Sequence, residues 1–190
     1  MTRHHPLLVT MRLRDGLPSL RQTREYREVT DAFRKGCERF GFRLVHYSVM
    51  TNHIHMIVEG DERRSVSRGM QGLMIRIAKA LNRIWERKGR VFSDRYHDRV
   101  LNRPAIVRNA IRYVLLNRNR HAGRPVFFGA EGRPDPGSSG AWFDGWREEV
   151  DPFPGCSKTS FLARAQSWLM NVGWKRYGRI SMSEVPGPSS

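Results

Sequence analysis

The stretch Val45-His46-Tyr47-Ser48-Val49-Met50-Thr51-Asn52-His53-Ile54-His55-Met56-Ile57-Val58-Glu59-Gly60 constrains this chain more than any other. Apolar and polar residues alternate on both sides of Thr51-Asn52, so it reads as two strands or one bent strand, the second part carrying His53 and His55. Side chains alternate faces along a strand, so the two histidines share a face, with Cα atoms about 6.6 Å apart by strand rise. Two imidazoles placed this way form a pincer for one cation. The same pair also occurs as ordinary polar residues of a half-buried strand, and the rest of the chain must decide between the two readings.

Around this stretch the pattern predicts alternating elements. Residues 6–13 have the β-branched and apolar content of a strand, which Gly16-Leu17-Pro18 ends. Ser19 is a candidate N-cap for a helix over 20–40, where Tyr26, Val29, Ala32, Phe33, Cys37 and Phe40 recur at helical spacing until Gly41. Strands follow at 42–50 and 54–58. Beyond a charged turn at 61–64, Met70, Leu73, Ile77, Ala80, Leu81 and Ile84 form one stripe of a second helix over 66–85 with a basic opposite face. Residues 90–101 look extended, and Pro104 suits the first turn of a third helix reaching about Arg120. The order predicts an α+β fold, an antiparallel sheet covered by helices. Residues 123–154, rich in Gly, Pro and Ser, read as a long loop with an ordered island at 142–150. A further helix is expected over 159–174 through Phe161, Leu162, Ala165, Trp168 and Leu169, and a mobile tail over 184–190. No internal repeat is present.

With 190 residues the chain can bury a core without metal or disulfide staples. Its 34 Lys and Arg against 18 Asp and Glu give a formal charge of +16, which favours a polyanionic partner. Arg far outnumbers Lys, which suits bidentate phosphate contacts. Cys37 and Cys156 form no CxxC pair and are expected to be reduced. No apolar run reaches the length of a membrane span and the N-terminus lacks a signal-peptide core, so a cytoplasmic location with no membrane partner is expected.

The third helix carries a second constellation. Ile106, Val107, Ala110, Ile111 and Val114 form its apolar face, while Tyr113 and Asn117 fall one turn apart on the boundary between core and solvent. A His-x-His strand, a helix presenting a tyrosine with an amide one turn on, and a basic chain together resemble the Y1 class of HUH nucleases, the IS200-like tyrosine transposases. The nearer resemblance is to their REP-associated tyrosine transposase relatives. It rests on Met50-Thr51-Asn52-His53-Ile54-His55-Met56-Ile57-Val58, Arg95-Tyr96-His97-Asp98-Arg99-Val100 and Arg112-Tyr113-Val114-Leu115-Leu116-Asn117-Arg118, and spans about residues 6–123. Two departures are visible: Thr51 stands where the family commonly has Pro, and Arg118 follows Asn117 where it commonly has Pro.

The resemblance implies a ferredoxin-like antiparallel sheet with helices on one face in residues 1–123, followed by a loop-rich C-terminal extension over 124–190. It implies His53, His55 and Asn117 as ligands of a divalent cation, Mg²⁺ or Mn²⁺, and Tyr113 as the nucleophile that cuts single-stranded DNA and keeps the 5′ phosphate. Single-stranded or hairpin DNA is then the partner, and a homodimer is compatible with it. Arg95 and Arg99 on alternate positions, Arg112 and Arg118 beside the tyrosine, and Arg76 and Arg83 on the basic helix are the candidate DNA-binding residues. His97 is a candidate extra ligand, with a phosphate contact or a plain surface histidine as the readings the sequence favours. The competing class is a nucleic-acid-binding protein on the same fold that does not cut. A histidine-triad hydrolase needs a further histidine at position 57, which is Ile, and no His-Glu-x-x-His occurs for a metalloprotease.

Overall fold

The computed structural model describes residues 5–129, 132–150 and 159–187. Cys156 and residues 188–190 of the tail lie outside the described residues. In chain order the elements are β1 (Leu7–Arg12), α1 (Thr23–Gly36), β2 (Glu38–Arg39), β3 (Phe42–Val49), β4 (His53–Gly60), α2 (Arg63–Ile84), β5 (His97–Val100), α3 (Pro104–Leu115), α4 (Asn117–Ala122) and α5 (Trp168–Asn171), with 3₁₀ turns at Ser139–Trp142 and Gly173–Tyr177. The five strands form one sheet in the order β2-β3-β4-β1-β5, and every neighbouring pair is antiparallel.

The alternating stretch is two strands, β3 and β4, closed by a tight turn in which Met50 N–H donates to the His53 carbonyl at 2.9 Å. Parity then sorts the sheet. Val9, Met11, Ile54, Met56 and Val58 enter one core, where Val29 and Phe33 of α1 and Leu73, Ile77 and Leu81 of α2 cover them. Both long helices therefore share one face, as their apolar stripes predict. Their close approach needs Gly69, since a Cβ there would lie 2.2 Å from the fully buried Phe42 ring. Gly69→Ala is expected to cost about 1–3 kcal/mol by overpacking, read as a lower Tm in thermal melts; an unchanged Tm would mean that α2 is not seated on β3 here.

The other face carries Leu8, Val45 and Ile57, and α3 lies on it through Val107, Ile111 and Val114. The helices are thus not confined to one face: two cover the first and the tyrosine helix the second, because both parities of the central strands are apolar and each must be buried. The pairing of β3 with β4 shifts register between Leu44 and His46, and this bulge turns both Val45 and His46 toward the second core.

The C-terminal extension completes this second core with Phe143, Trp146, Trp174 and Ile180. It is pinned by buried polar groups. Arg21 grips Asp135 with two bonds of 2.8 and 2.6 Å, and the fully buried Ser139 hydroxyl accepts from Tyr47 N–H at 3.1 Å. The long helix expected over 159–174 shrinks to the single turn of α5. Upstream of it, Ala163 N–H donates to the Leu44 carbonyl (3.1 Å), and Gln166 and Ser167 N–H donate to the buried Glu59 carboxylate (2.6 and 3.1 Å). Amides taken by a strand and a carboxylate are not free to close helical turns. The tail expected to be mobile is held at Glu184, whose carboxylate meets Arg108 at 2.8 Å and Arg112 at 3.1 Å. Cys37 is free, and burial pushes its thiol pKa up. Among the described residues no helix is long and apolar enough to cross a membrane.

Candidate active site

Strand parity puts His53 and His55 on the sheet face that α3 covers, with their ring centroids 4.6 Å apart. On β1 the residues directly opposite are Arg12 and Thr10. Thr10 Oγ1 lies 2.9 Å from His55 Nδ1, and Asn52 Oδ1 lies 2.9 Å from His53 Nδ1. An amide oxygen only accepts, so His53 carries its proton on Nδ1; the Thr10 hydroxyl can hold His55 in the same tautomer. Each ring then directs the Nε2 lone pair away from its oxygen partner, the arrangement in which an outer oxygen orients an imidazole for a cation.

Tyr113 arrives from α3. Its phenol oxygen lies 3.3 Å from His55 Nε2, and the two rings meet edge to face at 4.9 Å. The tyrosine is 9% exposed, so the oxygen reaches the site from the rim of the core. The helix does not run on to Arg120 as the pattern predicts: it breaks at Leu116 (φ −110°, ψ 25°) and restarts as α4. Asn117 is the first residue after the break and is fully buried, yet neither atom of its amide has a protein partner among the described residues. Two residues later Asn119, equally buried, donates to the Met182 and Glu184 carbonyls (2.9 and 3.1 Å) and accepts from Val126 N–H (3.0 Å). The fold satisfies one asparagine completely and leaves its neighbour bare, a cost of about 1–3 kcal/mol for an unmade buried bond.

A third group was not expected. Arg120 of α4 donates to the Tyr113 oxygen at 3.1 Å, with its guanidinium 5.2 Å from the ring centroid. The exposed His121 follows, its ring 5.9 Å from that of His53. The spacing holds a signal, since Arg120 stands two helical turns beyond Tyr113, but among neighbouring arginines the sequence alone does not single it out.

The candidate DNA-binding arginines separate. Arg99 sits opposite Leu8 on the histidine face and, with Arg112, Tyr113, Pro186 and Gly187, lines a cavity of about 120 Å³. His97 stands opposite Thr10 in the row that contains His55. Arg112 is engaged by Glu184, and Arg118 lies over the Phe128 ring at 5.7 Å. Arg95 lines a different groove of about 840 Å³, beside Tyr96 and against Gln71 and Ile75 of α2. Arg76 and Arg83 ride on α2, across the sheet from the histidines, and Arg83 pairs with Glu28 at 2.8 Å.

Electrostatics keep the imidazoles neutral. Burial, then the neighbouring His121, Arg12 and Arg120, lowers the His53 pKa to about 4; burial, then His53, His121 and Arg120, lowers that of His55 to about 3. His46 is held at about 4 by burial, which the Asp144 carboxylate only partly offsets. Depressed histidine values mean that the unfolded chain takes up protons below its ordinary value of about 6.5 that the folded chain refuses. Stability is therefore complete above that pH and is lost as pH falls toward 4. We expect Tm to drop already between about pH 6.5 and 5, above the carboxylate range; a flat Tm across this window would contradict neutral buried histidines.

These residues fit a divalent cation. Two neutral imidazoles, the His55 Nε2 lone pair shared with the Tyr113 hydroxyl, and a buried amide oxygen without a partner among the described residues are N and O donors of the kind that suits Mn²⁺ and, less readily, Mg²⁺. No group of three or more His, Cys, Asp and Glu converges on a cation among the described residues, so the amide or substrate oxygens would have to complete the shell.

The model of the family described as transposase IS200-like matches residues 17–114, just over half of the chain. The chain belongs to the IS200-like transposase family. The matched span includes both histidines and Tyr113 and ends before Asn117 and Arg120. Among solved structures, this IS200-like chain is similar to one described as a REP-associated tyrosine transposase bound to a REP hairpin, with 20% identity and a TM-score of 0.48 over 63% of this chain and 69% of that one. No curated protein sequence gives a significant match.

Proposed function

We propose that this IS200-like transposase is a cation-dependent endonuclease and strand transferase for single-stranded or hairpin DNA, acting through a 5′-phosphotyrosine on Tyr113. The observation that carries the reading is the Tyr113 phenol oxygen held 3.3 Å from His55 Nε2, on the sheet face that also carries His53. His53, His55 and Asn117 would hold Mn²⁺ or Mg²⁺, which supplies polarisation of the scissile phosphate. The tyrosine oxygen attacks phosphorus as the bond to the 3′ oxygen breaks; the phenol proton leaves and the departing oxygen takes one up, giving a free 3′-hydroxyl. Because the phosphodiester is exchanged and not hydrolysed, a 3′-hydroxyl can reverse the step and join strands without an external energy source. Arg99, at the cavity that contains Tyr113, is the best placed of the candidate arginines to meet a phosphate there.

The test is incubation with single-stranded hairpin oligonucleotides from the flanks of the gene in Mn²⁺ or Mg²⁺, followed by a denaturing gel. A protein–DNA adduct on the 5′ side of the cut is expected. Binding without any cut in either cation would overturn the catalytic reading in favour of a protein that only binds.

A further inference from the structure

We infer that Arg120 is a catalytic residue of the tyrosine reaction, the cation that stabilises negative charge on the Tyr113 oxygen; this rests on the reading in which Tyr113 is the nucleophile. Most arginines around the site are committed elsewhere. Arg108 and Arg112 share Glu184, and Arg118 covers Phe128. Arg120 forms no ion pair among the described residues, and its Nη1 donates to the phenol oxygen at 3.1 Å. A guanidinium that merely stacked over the ring, 5.2 Å from its centroid, would not need an N–H aimed at that oxygen.

The backbone break at Leu116 offsets α4 from α3, while Arg120 N–H still donates to the Leu116 carbonyl at 3.2 Å, so α4 is a folded turn that presents its arginine to the preceding helix. The half-buried position reduces the screening that an exposed charge would suffer.

The chemistry needs such a group in both directions. In cleavage the phenol loses its proton as the oxygen bonds to phosphorus and the phosphorus bond to the 3′ oxygen breaks. In rejoining, the tyrosine oxygen leaves phosphorus carrying the electron pair. Arg120 keeps its own protons throughout and acts by charge and by one hydrogen bond fixed before the reaction begins, as donors do in an oxyanion hole.

The experiment measures single-turnover cleavage of a hairpin oligonucleotide in Mn²⁺ by wild type, Arg120→Gln, Arg120→Lys and Arg120→Ala, with binding and thermal melts followed separately. Arg120→Gln is expected to slow adduct formation by about 10²–10³-fold, the usual loss for one preorganised donor, with hairpin affinity changed only slightly. Arg120→Lys, which keeps the charge and packing, is expected to fall between. Millimolar guanidinium should restore part of the rate to Arg120→Ala and none to Tyr113→Phe. Cleavage by Arg120→Gln should approach the wild-type rate as the pH is raised, because hydroxide then removes the phenol proton unaided. If wild type forms the adduct and Arg120→Gln does so equally fast, or if the loss is the same at every pH and guanidinium does not rescue, the inference is wrong while the tyrosine reading stands. If wild type forms no adduct, the tyrosine reading itself fails and Arg120 loses this role with it.

Discussion

Tyr113→Phe should remove cleavage and the covalent adduct together, by about 10⁴-fold or to background, as loss of a nucleophile does. The substitution deletes one oxygen from a side chain that is 9% exposed, and the ring keeps its edge-to-face contact with His55. The oxygen accepts from Arg120 and lies within hydrogen-bonding reach of His55, so these two polar groups lose a partner at the rim of the core. Their loss should lower Tm only modestly, by about 1–3 kcal/mol of stability. Hairpin binding, which the proposed function assigns to arginines such as Arg99 and not to the phenol, should be retained. A variant that still cuts would reject Tyr113 as the nucleophile, whatever its neighbours; one that neither cuts nor binds would mean that the tyrosine is structural.

How far the site could be read from sequence depends on which distances the chain fixes locally. Period-two alternation is local, so His53 and His55 on one face were legible, as was the pairing of α1 and α2 on the opposite core through their apolar stripes. The partners of those histidines were only half legible. Asn52 is the adjacent residue, but Thr10 meets His55 through a strand register that no local pattern encodes. The same limit applies to the basic surface: the charge pattern of α2 gave its polar side, but not that the helix would sit across the sheet from the histidines.

The extension departs from its sequence pattern for a different reason. Phe161, Leu162, Ala165, Trp168 and Leu169 recur at helical spacing, yet a short apolar pattern cannot outbid a buried carboxylate for the backbone amides, and Glu59 takes those of Gln166 and Ser167. Glu184 behaves similarly. Where the sequence reads as a free tail, it meets Arg108 and Arg112, one helical turn apart on the side of α3 that faces the extension.

Asn117→Leu should make the cation-free protein more stable and, on the proposed function, slow its cleavage. Asn117 is fully buried and neither amide atom has a partner among the described residues, whereas Asn119 on the same helix makes three hydrogen bonds. Leucine has nearly the same shape and nothing to satisfy, so removing the bare amide should return about 1–3 kcal/mol, seen as a higher Tm without added cation. Asparagine persists at such a position when its oxygen has work that the fold alone does not provide. In wild type, Mn²⁺ should raise Tm, since a ligand that binds only the folded state stabilises it. In Asn117→Leu that rise should shrink, and cleavage should fall while hairpin binding is kept. Asn119→Leu is the opposite control: it breaks three satisfied bonds and should lower Tm with or without cation. If Asn117→Leu lowers the cation-free Tm, the amide has a structural partner after all. If it raises Tm but leaves the Mn²⁺ response and the cutting rate unchanged, the third ligand must be sought elsewhere, with the exposed His121 beside His53 as the next residue to substitute.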